Sequence, residues 1–501
     1  MKIIHGDCLE ELKRLEDNSV DAVITDPPYG LSNTKPVQVA EILGRWVNGD
    51  VSHVPEKRGG FMGADWDSFV PPPAVWQECM RVLKPGGHMA VFAGARTQDL
   101  MGLSIRLAGF EIRDTLGWIY GSGFPKSHDI GKAIDKRGGN AHLAKEIGKA
   151  IREARESRGL TKGWCDLHFC GGTTNWTWFE GRPTGIRPPS VETFNAIVTE
   201  WPELAPYAEK VAEVEREVVG KSPHKSGIGN ATRGHYTVGG TKAEAYDITA
   251  PATSEAQRWD GWGTALKPAI EPIILARKPL DGTVANNVLA HGVGGLNIDA
   301  CRVPSDEITG WGGRGHASGG ASLNLSATGS ADGQPNPAQG RFPANVLLDE
   351  HAAKEMDKQS GVSKSPTGLI TQGGDHFSIG SEEKTRGTKF QGHGDSGGAS
   401  RFFPVFKYQA KAPKKERPVI EREDGTKIQH PTVKPLALLE WLVELITPPG
   451  GTVLDPFAGT GTTLQAATNK GFNPIGIEAD ADYIQLIHQR MEGGEQSTRN
   501  S

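Results

Sequence analysis

With 501 residues and a formal net charge of -5, the chain exceeds one typical core and has no global attraction for a polyanion, so nucleic-acid binding would have to come from local basic patches. Five cysteines in this length exclude a disulfide framework and point to a reducing, cytoplasmic setting, and no apolar run approaches membrane-spanning length. Glycine is the outlier, with 65 residues where an average chain has roughly 7%; much of the excess lies between Gly292 and Gly398, which predicts loops there.

The N-terminus opens on Lys2-Ile3-Ile4, a strand rather than a signal peptide. Gly6-Asp7-Cys8 turns into a short amphipathic helix carrying Leu9, Leu12 and Leu15, which leads to a buried β-branched strand over Val20–Ile24. Thr25-Asp26-Pro27-Pro28-Tyr29-Gly30 ends that strand, because neither proline can donate to a ladder and each restricts the residue before it. A rigid loop at the carboxyl end of a strand follows, where open α/β sheets bind ligands. It offers the Asp26 carboxylate and the Tyr29 ring, a pairing that suits a flat ring with an exocyclic amine. The ring would stack on Tyr29 while Asp26 and a proline carbonyl accept the amine hydrogens. Taken alone, a purely structural turn is an equal reading.

Ala74–Leu83 is predicted helical and Lys84-Pro85-Gly86-Gly87 its stop; His88–Phe92 is a strand, Leu100–Leu107 a helix ended by Gly109, and Glu111–Tyr120 a strand. This alternation predicts a mostly parallel α/β sheet, its first half placed at residues 1–139. Residues 140–212 break the pattern. Ile147, Ile151 and Ala154 repeat at helical spacing, Thr161 restarts a second helix, Thr173–Glu180 gives a third, and Ser190 caps a fourth over Val191–Val198. The series resembles small helix-turn-helix domains, with Thr173, Thr174, Asn175 and Arg182 on or beside a DNA-reading helix. An ordinary helical insertion with a core of Trp164, Trp176 and Trp178 stands as the alternative.

Residues 213–258 read as a polar linker, 259–291 as a return to the core through Pro272-Ile273-Ile274-Leu275-Ala276, and 292–428 as a Gly-rich, basic insert with Asn345-Val346-Leu347-Leu348 a brief strand candidate. Between Lys384 and Arg417 nine basic residues, among them Arg401, Lys407, Lys411, Lys414 and Lys415, face two acidic ones, with Phe402, Phe403, Phe406 and Tyr408 interleaved. That mixture suits a phosphate backbone and exposed bases, although a charge run is more often a solvated face. Cys165, His168 and Cys170 lack a second ligand pair at zinc spacing, so no metal site is expected. His128 and His430 read as loop or packing histidines.

The segment 429–492 carries a second motif, and 493–501 reads as a disordered tail. His430-Pro431-Thr432-Val433-Lys434-Pro435 precedes a helix over Leu436–Ile446. Thr452-Val453-Leu454 is a strand; Asp455-Pro456-Phe457-Ala458-Gly459-Thr460-Gly461 then opens another helix, and the next strand ends in Glu478. Strand, glycine turn, helix, strand and acidic residue make a nucleoside-binding unit. It lacks the third glycine of a dinucleotide fingerprint and the Gly-Lys-Ser/Thr of a phosphate loop. Asp455 favours a ligand with positive charge near the turn.

The two motifs together resemble the DNA amino-methyltransferases that use S-adenosyl-L-methionine, in the permuted order called the β class. The resemblance implies a Rossmann-like methyltransferase fold with a mixed, mostly parallel sheet, interrupted by the helical and Gly-rich inserts. It implies that Asp26, Pro27, Pro28 and Tyr29 bind the target base and promote transfer, with Asp26 also near the cofactor. Asp455, Phe457, Gly459, Thr460 and Gly461 would hold the methionine and adenosine parts, Glu478 the ribose, Asp7 the adenine amine with Cys8 beside it, and Lys434 and Pro435 the methionine end. The implied reaction is adenine-N6 methylation of a base flipped from double-stranded DNA. Cytosine-N4 methylation, RNA or glutamine methylation, and a DNA-binding regulator on a relic fold are the alternatives. A partner restriction nuclease fits the resemblance, but no residue specifies one.

Overall fold

The computed structural model describes residues 1–32, 34–55, 67–121, 123, 127–137, 139–171, 175–181, 189–214, 218–226, 231–232, 235–236, 244–251, 254–308, 339–364, 367–371, 389–393, 395–406, 418–422, 427–430 and 433–498. Two compact units partition the chain: the first holds Met1–Gly123, Ala231–Thr237 and Ala269–Ser501, the second Phe124–Asn230 and Val238–Pro268.

The first unit is built on a nine-stranded sheet: β1 (Lys2–His5), β2 (Val20–Thr25), β3 (Leu83–Phe92), β4 (Glu111–Ile119), β5 (Ile270–Arg277), β6 (Val346–Asp349), β7 (Val405–Phe406), β8 (Thr452–Asp455) and β9 (Asn473–Glu478). Their spatial order is β1-β9-β8-β2-β3-β5-β4-β6-β7. Only β5 runs against its neighbours; all other pairings are parallel. The sheet is mixed and mostly parallel, with Rossmann-like strand–helix–strand units in its β1-β9-β8-β2 half, as the motifs predict. Both faces are covered, so buried strands read as unbroken apolar runs. Alternate residues serve opposite faces: Val23, Met89 and Val91 join one core with Leu12, Trp76 and Met101, whereas Ala22, Ile24, Ala90 and Phe92 join another with Leu439, Leu442 and Ile446.

Several boundaries differ from the sequence expectations. Helix Pro73–Val82 stops as predicted, but β3 starts at once at Leu83 and takes Lys84–Gly87 into its bulged first half. Buried Asn287 explains this: its amide donates to the carbonyls of Pro85 and Val293, and Gly86, at φ +78°, leaves room for it. The 139/140 boundary moves to 123/124, because His128–Ile130 bonds to Trp262–Thr264 and closes the second unit on itself. The expected linker 213–258 contains Val218–Ser226 paired antiparallel with Glu244–Thr249, since a backbone ladder tolerates polar side chains. The insert at 292–428 supplies β6 and β7 to the central sheet, and Asp349 caps helix Glu350–Ser360. The tail expected at 493–501 is helical backbone to Thr498, because adding residues to the end of a formed helix is easy once Ile484 and Ile487 anchor it.

The second unit packs helices Gly139–Ser157, Lys162–Phe169, Trp176–Phe179 and Val191–Glu200 around Ile147, Ile151, Trp176, Phe194 and Trp201. Thr161 and Ser190 cap as predicted, each accepting a backbone N–H. The expected third helix is a single turn, Trp176–Phe179, and of the three tryptophans expected in the core only Trp176 is fully buried. Trp164 is exposed and stacks on His168, which bonds Glu200. Glu180 instead lies inside, paired with Arg155 and accepting from the Trp176 indole at 2.8 Å.

Candidate active site

Because β1, β9, β8 and β2 are adjacent and parallel, their carboxyl ends lie along one edge of the sheet. Each end carries an acid: Asp7 after β1, Glu478 closing β9, Asp455 closing β8 and Asp26 after β2. Adjacent strand ends therefore join motifs 430 residues apart. A direct bond completes the join: the Thr25 hydroxyl donates to Asp455 Oδ1 at 2.7 Å, in full burial.

On the β2 side, Tyr29 donates its hydroxyl within 2.7 Å of both Asp26 Oδ1 and Glu271 Oε1. Lys434 Nζ donates to Asp26 Oδ2 at 2.6 Å and lies 3.3 Å from Glu271 Oε1. It also sits 5.3 Å from the Tyr29 ring centre and 5.0 Å from that of Phe92. Burial disfavours the ammonium, but Asp26 and Glu271 outweigh it and raise the Lys434 pKa. Burial, reinforced by the same two carboxylates, pushes the Tyr29 phenol well above its ordinary value. The loop is braced from outside. Buried Asp67 accepts the Gly30 N–H at 2.8 Å and the Thr97 hydroxyl donates to the Tyr29 carbonyl at 2.6 Å. Gly30 sits at φ +66°, and a Cβ there would stand 2.7 Å from the Val70 nitrogen.

On the β8–β9 side, the turn is held by carboxylates rather than by a lysine. Asp455 Oδ1 also accepts the Phe457 N–H at 3.1 Å, and burial lifts its pKa to about 6. Glu478 accepts the Gly459 N–H at 2.8 Å and the Asp480 N–H at 2.9 Å; burial lifts it to about 7. Among the described residues neither forms an ion pair. Gly459 and Gly461 adopt φ +53° and +74°, which only glycine holds without strain. A Cβ on Gly459 would meet nothing nearer than the His430 ring at 3.7 Å, so its outer side is open among the described residues. Asp7 caps helix Cys8–Leu12 through Oδ1, and Cys8 lies half-buried behind it, its thiol pushed up to about 12 by burial.

The structure thus gathers Asp26, Tyr29, Lys434, Asp455, Phe457, Gly459, Gly461, Glu478, Asp7 and Cys8 along one edge, with Pro27 and Pro28 in the loop and Pro435 starting helix Leu436–Ile446. Thr460 is turned elsewhere: its carbonyl and hydroxyl accept from buried Arg490 at 2.7 and 3.1 Å. Arg401 is engaged internally, donating to Asp395 and to the Gly397 and Gly398 carbonyls. Asn175 is an exposed residue starting the one-turn helix. Thr173, Thr174, Arg182, Lys407, Lys411, Lys414 and Lys415 lie outside the described residues. Glu271, Asp67 and Thr97 escape sequence reasoning. Glu271 had one usable signal, a lone charge opening the apolar run Pro272–Ala276, whereas nothing local marks Asp67.

A mostly parallel sheet with a glycine turn and an acid closing the next strand defines the Rossmann-like, nucleoside-binding class of site. The model of the N6/N4 DNA methylases matches residues 20–140 and 346–489, over half of the chain, and the chain belongs to that family. It is 42% identical over 64 residues to the type II methyltransferase M2.DpnII of Streptococcus pneumoniae, covering 13% of this chain and 24% of that one. It is 35% identical over 77 residues to the type II methyltransferase M.ScaI of Streptomyces caespitosus, covering 15% and 25%. The chain spans about a quarter of the length of either relative. The crystal structure of the M1.HpyAVI–SAM complex aligns over 98% of both chains at 12% identity with a TM-score of 0.33, a likeness too loose to bear on the fold.

Proposed function

We propose that this chain is a site-specific DNA methyltransferase of the β class, with its Asp-Pro-Pro-Tyr loop early and its cofactor loop late, acting on the N6 amine of adenine in double-stranded DNA. The observation that carries the reading is the Thr25–Asp455 hydrogen bond, which seats an amine-binding loop directly beside a nucleoside-binding turn. S-adenosyl-L-methionine, when bound, supplies a methyl already activated on a sulfonium. The residues present fit it: a buried carboxylate at Asp455 and a half-buried one at Glu478, neither paired with a cation among the described residues, and an open glycine turn between them. Glu478 keeps acceptor capacity for ribose hydroxyls beyond its two amide bonds, and Asp7 Oδ2 is left over from capping.

The amino nitrogen of adenine is a poor nucleophile because its lone pair is delocalised into the ring. Asp26, by accepting one amine hydrogen, favours the pyramidal nitrogen whose lone pair can form the new N–C bond as the S–C pair returns to sulfur. Asp26 also stands as acceptor for the proton that nitrogen then loses. Orientation carries most of the rate, since the donor needs no further activation. Tyr29 recovers part of the few kcal/mol spent unstacking the base. Cytosine-N4 methylation uses the same chemistry, and the family spans both.

The test is transfer of radiolabelled methyl from S-adenosyl-L-methionine to duplex DNA, followed by nucleoside mass spectrometry. N6-methyladenine is the expected product. N4-methylcytosine would replace the substrate base, and no label in DNA would overturn the assignment.

A further inference from the structure

Both oxygens of Asp26 are occupied, Oδ1 by the Tyr29 hydroxyl and Oδ2 by Lys434 Nζ. Each oxygen keeps a second lone pair, so an incoming amine competes with these donors for Asp26. Glu271 stands beside both donors, 2.7 Å from the phenol oxygen and 3.3 Å from the ammonium. The phenol has one hydrogen to give and two carboxylates within reach, so the cluster has two alternative hydrogen-bond arrangements. Moving Lys434 fully onto Glu271 requires closing 3.3 Å to the roughly 2.8 Å of a charge-assisted bond, a shift well under an ångström. Lys434 is nearly buried, so it cannot be released to water at comparable cost.

Resting on the methyltransferase reading, we propose that Glu271 is a positioning residue that takes over Lys434 and the Tyr29 hydroxyl when the target amine binds Asp26. Its carboxylate keeps the buried ammonium paired while Asp26 is handed to the substrate. Its place on β5, the one antiparallel strand, explains how it reaches this edge. The start of β5 lies where its neighbours end, with Ile273 opposite Phe92. The negative charge, beyond the hydrogen bond, is what the exchange requires. The isosteric amide can still accept from Tyr29 but cannot balance Lys434.

Glu271→Gln and Glu271→Ala are to be compared with the wild-type chain in kcat and KM for methylation of duplex DNA, and in S-adenosyl-L-methionine affinity by calorimetry. Both variants should lower kcat roughly 30-fold or more, with cofactor Kd kept within about threefold, as expected for loss of a charge-assisted arrangement. Wild-type kcat in Glu271→Gln, with or without a loss in Glu271→Ala, would reduce Glu271 to a prop for Tyr29 and overturn the exchange. So would a loss confined to cofactor Kd. Wild-type chain inactive on DNA would remove the underlying reading and this inference together, whereas an active wild type with an equally active Glu271→Gln removes this inference alone.

Discussion

The two halves of the candidate site handle charge in opposite ways. At the end of β2, Asp26 and Glu271 share the internal cation Lys434, so the cluster is paired before any ligand arrives. One and two strands away, Asp455 and Glu478 are held by hydroxyl and amide donors, and burial raises their pKa values, with no cation beside them among the described residues. The first half shares its donors between two carboxylates; the second has no cation beside it among the described residues, and a sulfonium-bearing ligand would bring one. Neighbouring strand ends of one sheet can thus be prepared for an amine and for a cation.

Four substitutions or conditions sharpen that contrast. Asp26→Ala removes the amine acceptor, so methyl transfer to DNA should fall about 10³-fold, while calorimetry finds cofactor affinity within a few-fold of wild type. Comparable losses in both would merge the two halves into one. Glu478→Ala should do the reverse, weakening S-adenosyl-L-methionine binding by roughly 10- to 100-fold, the range for hydrogen bonds to a charged group. Its turnover should recover at saturating cofactor.

The pH dependence follows from the same asymmetry. Glu478 and Asp455 prefer the neutral form in the free chain up to about pH 7 and 6, and a bound cation favours their ionised forms. Binding must then release protons, and cofactor affinity should fall about tenfold from pH 8 to pH 6. In the free chain the sign is opposite. These raised values add stability below the ordinary carboxylate range that is lost as the pH rises through about 6 and 7. Affinity flat with pH in calorimetry would mean that the turn meets no positive charge. The smallest effect is expected from Asp7→Ala, which loses a helix cap worth about 1 kcal/mol and should weaken cofactor affinity only a few-fold, read from the thermal midpoint with and without cofactor.

Much of the site was legible in the residues. Pro27-Pro28 after a β-branched run marks a strand-end loop, and Gly459-x-Gly461 between two apolar runs marks a turn that needs positive φ, because these are constraints of the local backbone. Local patterning failed where partners are distant or the signal is short. Asn345–Leu348 was legible as a brief strand, but nothing local showed that Val346–Asp349 joins the main sheet beside β4. Thr460 lies inside the cofactor motif, yet Arg490 claims it.

The sequence by itself determined the strands that lead into the two motif turns, those turns and the acids that close them, since dihedral preference and apolar period act over a few residues. Only the tertiary structure decided who pairs with whom. Glu271 meets Tyr29 from 242 residues away and Lys434 meets Asp26 from 408, because strand order brings their ends together. An ion pair depends on distances in space, and no spacing along the chain encodes those.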